Sequence, residues 1–441
     1  MRYVQLTPGT GNFYCGSCLR DNAMVNAFRA RGHDAIMVPM YLPTVTDEPE
    51  ATGGSPIFFG GINVYLQQKF RLFRNTPRWL DKFFNAEGLL RWSSNMSDMT
   101  SPRELGELTV SMVKGEEGKQ NKELDKLIEW LRDDFKPEVI GLSNALLYGL
   151  AKRLKAELNV PLIGILQGED AFLDSLPEPY RSTSWKTLSE RTRDLDQLIA
   201  VSHYYGKEMQ ERLSIPDSQL NVVHNGILLD GYEVAAVPPQ HPTIGYLARM
   251  CPGKGLGTLI DAFIALKKRP GMEQVKLRVA GSQTASDKKF VATLITKLKK
   301  ANIAEDVEFL PNVSRDEKLA FLQSLTMLSV PATYGESFGL FVIEALATGV
   351  PVVQPRHAAF PELIDMTNGG ILCDPDDAEA LADGFAELIN DPDRARDLGR
   401  QGHEAVLRKF GVENMADGVQ AICNKVMNLT SVEEREVPVS S

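Results

Sequence analysis

The sequence predicts an α/β fold made of two Rossmann-like domains, and three observations predict it. Short apolar runs alternate with longer amphipathic ones over residues 3–223; a proline-dense break follows at Val237-Pro238-Pro239-Gln240-His241-Pro242; the same alternation then restarts at Thr243. Strand-helix alternation implies parallel strands whose connections cover both faces of the sheet. Proline density disfavours helix and central strand alike, so the break reads as a linker. The expected domains are residues 1–236 and 237–410.

Taken in order, Tyr3 to Leu6 reads as a strand, Pro8 to Gly11 as a glycine-rich loop, and Leu19 to Arg31 as a helix stopped by Gly32; Ala35 to Met40 is the next strand. The loop glycines do not have dinucleotide spacing, so a nicotinamide cofactor draws little support. Residues 43–120 are less regular. Within them, Gln68 to Arg74 and Arg78 to Phe84 interleave bases with aromatics. Such a segment either rests on an anionic membrane surface or grips a lipid-linked acceptor, or it is a helix pair that turns its aromatics inward. Helix Leu124 to Phe135, strand Val139 to Leu142, strand Pro161 to Leu166, the loop Gln167-Gly168-Glu169-Asp170, a helix near Trp185 to Asp194, and strands Leu198 to Val201 and Leu220 to Val223 complete the first half.

The second half opens with strand Thr243 to Leu247 and the loop Ala248 to Leu256, then runs through strands Val275 to Ala280, Val307 to Leu310, Met327 to Pro331 and Val350 to Gln354. Helices Ala378 to Asn390 and Asp393 to Lys409 follow, and the tail from Thr430 to Ser441 has the composition of a disordered segment.

With 441 residues, each domain has enough chain for its own core, and a net charge of −10 argues against a nucleic-acid partner. The first strand starts at Tyr3, leaving no room for a signal peptide, and no apolar run approaches the ~18 residues that span a bilayer, so the expected location is cytoplasmic, with peripheral membrane contact through residues 68–84. Five cysteines include a single pair at CxxC spacing, Cys15 and Cys18, with no second pair to complete a zinc site. That pair is either a redox dithiol opening a helix or ordinary loop packing.

The run Tyr334-Gly335-Glu336-Ser337-Phe338-Gly339-Leu340-Phe341-Val342-Ile343-Glu344 is the most informative stretch, because it places two carboxylates in apolar surroundings between two strands. Glu336 with Ser337 fits a helix N-cap, and a helix start favours phosphate. Along one helix the two acids would lie roughly 12 Å apart and about 80° apart around the axis, so both reach one groove only if Glu336 sits in the loop. Otherwise Glu336 is a cap and Glu344 faces solvent. Arg249 and Lys254, five apart in a Gly/Pro-rich loop directly after a strand, suit a diphosphate. Asp374-Pro375-Asp376 and Asp391-Pro392-Asp393 imitate a metal-binding pair but read as loop and cap acids, and His203, His224 and His403 read as packing or surface residues.

The stretch ESFGLFVIEALATGVPVV resembles the signature of the family 4 retaining glycosyltransferases of the GT-B fold. The resemblance covers nearly all of the second half and only topology and a few loops of the first. It implies two Rossmann-like domains facing each other across a cleft, and a last helix, about 413–428, that crosses back to the first domain. It implies a nucleotide-diphosphate sugar as donor, with Glu336 on the transferred sugar, Ser337, Phe338, Gly339 and Leu340 offering backbone amides, Glu344 on the ribose, and Arg249 and Lys254 on the diphosphate. Gly11 would approach the donor phosphates. No metal or other cofactor is expected. The acceptor would be a glycan, lipid or small molecule, attacked by front-face substitution in which the leaving phosphate takes the proton.

The departure is Gln167, where relatives often carry a His in a His-Gly-x-Asp-like run. Gln can donate to a sugar hydroxyl but cannot be protonated. Asp170, in the same loop, either orients the acceptor or caps the next helix. Alternatives to a transferase are a GT-B phosphorylase, a sugar-nucleotide epimerase, or a nucleotide-sugar-binding protein that lost activity through Gln167.

Overall fold

A computed structural model describes residues 1–9, 16–43, 49–52, 58–59 and 102–436, with side chains to 428. Gly11, Cys15 and the basic-aromatic segment 68–84 lie outside the described residues.

The chain divides into two compact units, Met1–His224 with the last helix from Glu413 on, and Asn225–Val412. In the first, strands β1 (Arg2–Thr7), β2 (Asp34–Pro39), β3 (Val139–Leu142), β4 (Leu162–Leu166), β5 (Gln197–Ala200) and β6 (Leu220–Val222) make one sheet in the order β2-β1-β3-β4-β5-β6. In the second, β7 (Thr243–Leu247), β8 (Lys276–Gly281), β9 (Val307–Pro311), β10 (Met327–Leu328), β11 (Val352–Pro355) and β12 (Gly370–Cys373) run in the order β12-β11-β10-β7-β8-β9. Every pairing in both sheets is parallel.

Parallel strands need helical crossovers, and crossovers on both faces bury the central strands completely. Leu162–Leu166 and Thr243–Leu247 are buried at every position, whereas the edge strand Val307–Pro311 is part-exposed throughout. Helix Leu256–Leu266 is the most telling crossover, since Leu256, Leu259, Ile260, Ala262, Phe263 and Leu266 are all fully buried. Each of the Leu, Ile and Phe side chains contributes about 1.5–3 kcal/mol of burial.

The boundary between units falls at Asn225, before the proline-dense stretch expected to be the linker. Its cause is hydrogen bonding. Ile227 exchanges backbone bonds with Phe410 and Val412, and the carbonyls of Asp230 and Glu233 accept from Arg315 and Gln323. Residues 225–242 therefore belong to the second unit.

The last helix also differs from expectation. It spans Val412–Glu436, so residues 430–436, read as disordered from composition, are helical. Arg31 clasps its start through Glu413 at 2.6 Å and Asp417 at 2.8 Å, and Lys425 donates to Gln197 at 3.0 Å, which ties it to the first unit. Among the described residues no helix is long and apolar enough to cross a membrane.

Candidate functional site

In an open parallel sheet, ligands collect beyond the carboxyl ends of the strands where strand order reverses. In the second unit that point lies between β7 and β10. The loop after β7 carries Arg249 and Lys254, and the loop after β10 carries Tyr334 and Glu336, so two stretches far apart in sequence are brought side by side.

The loops are knitted by backbone. Thr333 N–H donates to the Gly253 carbonyl at 3.0 Å, and Gly255, at φ 72°, lies so near Pro331 that a Cβ would overlap its carbonyl oxygen. Gly255 thus serves as the left-handed entry to helix Leu256–Leu266 and as the contact that seats Lys254. Lys254 Nζ donates to Glu336 Oε2 at 2.5 Å and stands 4.9 Å from the centre of the Tyr334 ring. Burial works against the Lys254 charge, but Glu336 and Tyr334 outweigh it and hold the ammonium above its ordinary value. Burial, with Glu336 next, pushes the Tyr334 phenol up to about 12.

Glu336 is buried and sits in the loop, because the helix begins only at Leu340. Its N-cap is Gly339, at φ 95°, not Glu336 or Ser337 as the sequence pattern suggested. Apolar residues crowd the run, and only glycine enters the required left-handed conformation without strain. Ser337 and Phe338 are buried, with Phe338 against Phe410 at 6.1 Å between ring centres. Glu344 lies in the second turn of helix Leu340–Ala347. It does not point freely to solvent, since Tyr232 and Lys318 both donate to it at 2.8 Å.

Arg249 forms a two-pronged pair with Asp287, Nε to Oδ2 at 3.0 Å and Nη2 to Oδ1 at 3.1 Å. Asp287 opens helix Asp287–Lys300 behind β8 and also accepts from the Thr284 N–H and hydroxyl. Burial would raise the Asp287 carboxyl, but the bonds from Arg249 and Thr284 outweigh it and hold it below the ordinary 3.8.

In the first unit, the loop after β4 holds Gln167, Gly168, Glu169 and Asp170. Gln167 Nε2 donates to the Ser143 carbonyl at 2.7 Å, which ties this loop to the end of β3. Asp170 is the first residue of helix Asp170–Ser175 and is buried, with no partner for its Oδ1 among the described residues. The anchor of the loop is Glu169, which the sequence did not single out. It accepts from the amides of Ala145, Gln167 and Gly168 at 2.8–3.0 Å and from the Tyr205 hydroxyl at 2.9 Å. Burial raises both carboxyls, against those amide bonds for Glu169 and the Tyr205 bond for Asp170.

Asp287, Tyr334, Lys318 and Tyr232 were likewise missed. Asp287 alone left a trace, as an acid at the start of a helix behind a strand. Cys18 is fully buried under the Thr7 hydroxyl, and Asp391 caps helix Pro392–Lys409 as read.

Two six-stranded parallel sheets of this kind in one chain define the GT-B class, and solved structures agree. Sucrose-phosphate synthase from Thermosynechococcus elongatus superposes with a TM-score of 0.71 at 18% identity over 97% of this chain and 100% of its own. HepE of Anabaena, solved with UDP and glucose, superposes at 0.67 and 16% identity over 96% and 99%. Residues 233–405 match the model for glycosyl transferases group 1, and residues 114–230 that for glycosyltransferase family 4. Both halves of the chain thus match models of glycosyltransferase families. Its relatives include the D-inositol 3-phosphate glycosyltransferase of Mycolicibacterium smegmatis, 26% identical over 53% of this chain and 54% of the relative. A GDP-mannose-dependent alpha-(1-6)-phosphatidylinositol monomannoside mannosyltransferase of Mycobacterium tuberculosis is 28% identical over 40% of this chain and 46% of its own. The chain spans about half the length of these two.

Proposed function

We propose that the protein transfers a sugar from a nucleoside-diphosphate sugar to an acceptor hydroxyl with retention at the anomeric carbon. The observation that carries this reading is Lys254 set against Glu336 at the strand-order reversal of the second unit, with Arg249 in the same loop. Arg249 and Lys254 neutralise the leaving diphosphate, Glu336 takes sugar hydroxyls, amides of residues 337–340 contact sugar and phosphates, and Glu344 takes the ribose. Two cations at the leaving group supply the charge that a divalent ion would otherwise bring, so no metal is required. The acceptor oxygen attacks from the face the diphosphate leaves, and a diphosphate oxygen takes its proton. Likeness to HepE, solved with UDP, UDP-glucose, and UDP with glucose, favours a uridine donor.

Gln167, with its amide on Ser143, and the buried Asp170 border the acceptor. The basic-aromatic residues 68–84 favour a lipid-linked acceptor met at a cytoplasmic membrane face. Cosedimentation with anionic vesicles, and its loss on replacing Arg71 and Arg74, tests that contact.

Calorimetric titration with UDP, GDP and ADP tests the donor site. Binding of one nucleotide, weakened in Lys254→Ala and Glu344→Ala, is expected; no binding, or binding that ignores both residues, rejects it. Product stereochemistry read by NMR tests retention. The immobilised, unprotonatable Gln167 also favours a binding protein without turnover, which would hold the nucleotide sugar and release no nucleotide with any acceptor.

A further inference from the structure

Glu344 has an asymmetry that a simple ribose contact does not require. Both of its protein bonds end on one oxygen, Oε1, one from the Tyr232 hydroxyl and one from Lys318 Nζ. Among the described residues none donates to Oε2, and that oxygen is not among the enclosed polar atoms that lack a partner. A carboxylate gripped at one oxygen by two donors cannot rotate about its last bond, so the second oxygen keeps one direction.

The grip is itself braced. Tyr232 is buried, and Arg315 lies over its ring at 5.5 Å while donating to the Asp230 carbonyl at 2.6 Å. Arg315 and Lys318 share helix Arg315–Gln323, whose first turn is fixed by a reciprocal Ser314 and Glu317 cap. Lys318 also balances the Glu344 charge, which lowers the repulsion that a carboxylate would exert on a bound diphosphate.

We infer that Tyr232 and Lys318 are positioning residues that fix Glu344 Oε2 for the ribose hydroxyls of the donor nucleotide, and that this grip makes the site select ribonucleotides over those lacking the hydroxyls. The inference rests on the donor reading above. It goes further by tying sugar selection to two residues that do not touch the ligand. A site built to pair with a hydroxyl rejects the analogue without it far more strongly than a loosely placed group does.

The test is calorimetry on the full chain with the nucleoside diphosphate that binds and its 2′,3′-dideoxy analogue. Lys318→Met and Tyr232→Phe should each weaken the ribonucleotide by about tenfold and leave the dideoxy form within about twofold, so their ribo-to-dideoxy ratio falls toward that of Glu344→Ala. Lys318→Arg should retain the ratio. Tyr232→Phe keeps the ring and its packing, so it reports even where Lys318→Met unfolds. The inference is overturned if both variants keep the wild-type ratio, whether or not overall affinity drops, while Glu344→Ala abolishes it. If Glu344→Ala itself keeps the ratio, or the wild type binds no nucleoside diphosphate, the donor reading falls and takes the inference with it.

Discussion

The two units use the carboxyl edge of the same kind of sheet in opposite ways. In the second, each acid near the strand-order reversal faces a cation: Asp287 faces Arg249, Glu336 faces Lys254 and Glu344 faces Lys318. In the first, Glu169 and Asp170 are closed in, without a cation within salt-bridge distance among the described residues, and burial drives both toward the protonated form. The difference teaches what each edge can hold. Arg249 and Lys254, each steadied by its acid, offer positive charge to a diphosphate, while Lys318 stays on Glu344. Enclosed acids without a paired cation offer no positive charge to a diphosphate, so that edge suits neutral hydroxyl partners instead.

The comparison breaks most visibly at Gly255. Gly255→Ala forces a side chain into a left-handed conformation against the Pro331 carbonyl, which separates the loops that bring Lys254 to Glu336. Calorimetry should show nucleotide affinity down by about 100-fold, with a lower melting temperature. An unchanged affinity would mean that the loop seam does not build the site.

Lys254→Ala comes next. It removes one charge-assisted contact and strands Glu336, so affinity for the bound nucleoside diphosphate should drop roughly 10- to 100-fold. Asp170→Asn, the matching change in the first unit, should leave that affinity within about twofold and lower only turnover with acceptor. If the two variants trade places, the assignment of charge to donor and enclosed acid to acceptor is reversed.

Asp287→Asn sharpens the picture through pH. Because the Asp287 carboxyl is held below 3.8, its pair with Arg249 contributes stability that is fully present above that value and lost as pH falls through the lower folded value. Thermal melts across the acid range should therefore show a shallower acid loss in the variant. Diphosphate affinity should also fall, by about three- to tenfold, as Arg249 loses its support.

The smallest effect on ligand is expected at Glu169. Glu169→Gln places an amide group among four donors, and the melting temperature should drop by an amount corresponding to about 1–3 kcal/mol. Nucleotide affinity should stay unchanged. A binding defect in this variant would show that the first unit also holds the nucleotide.

Much of this was legible beforehand for identifiable reasons. The alternation of apolar runs with amphipathic ones dictates parallel sheets, and the Gly/Pro-rich loop directly after a strand points to Arg249 and Lys254. The cap of helix Leu340–Ala347 was misplaced because Glu336 and Ser337 are common cap residues, while the backbone geometry that decides for Gly339 leaves no mark in composition. Residues 225–236 fall on the other side of the expected boundary because their bonds to Phe410, Arg315 and Gln323 come from distant positions. The final helix was ended early because a polar sequence reads as disorder.

The sequence by itself determined the two alternating halves, the loops that carry Arg249, Lys254, Glu336 and Gln167, and the family to which they point. Only the tertiary structure decided which groups meet. Lys254 and Glu336 are 82 residues apart, and Tyr232 and Glu344 are 112. They meet because β10 inserts beside β7, and strand order is settled by the packing of whole crossovers, which no local pattern of residues records.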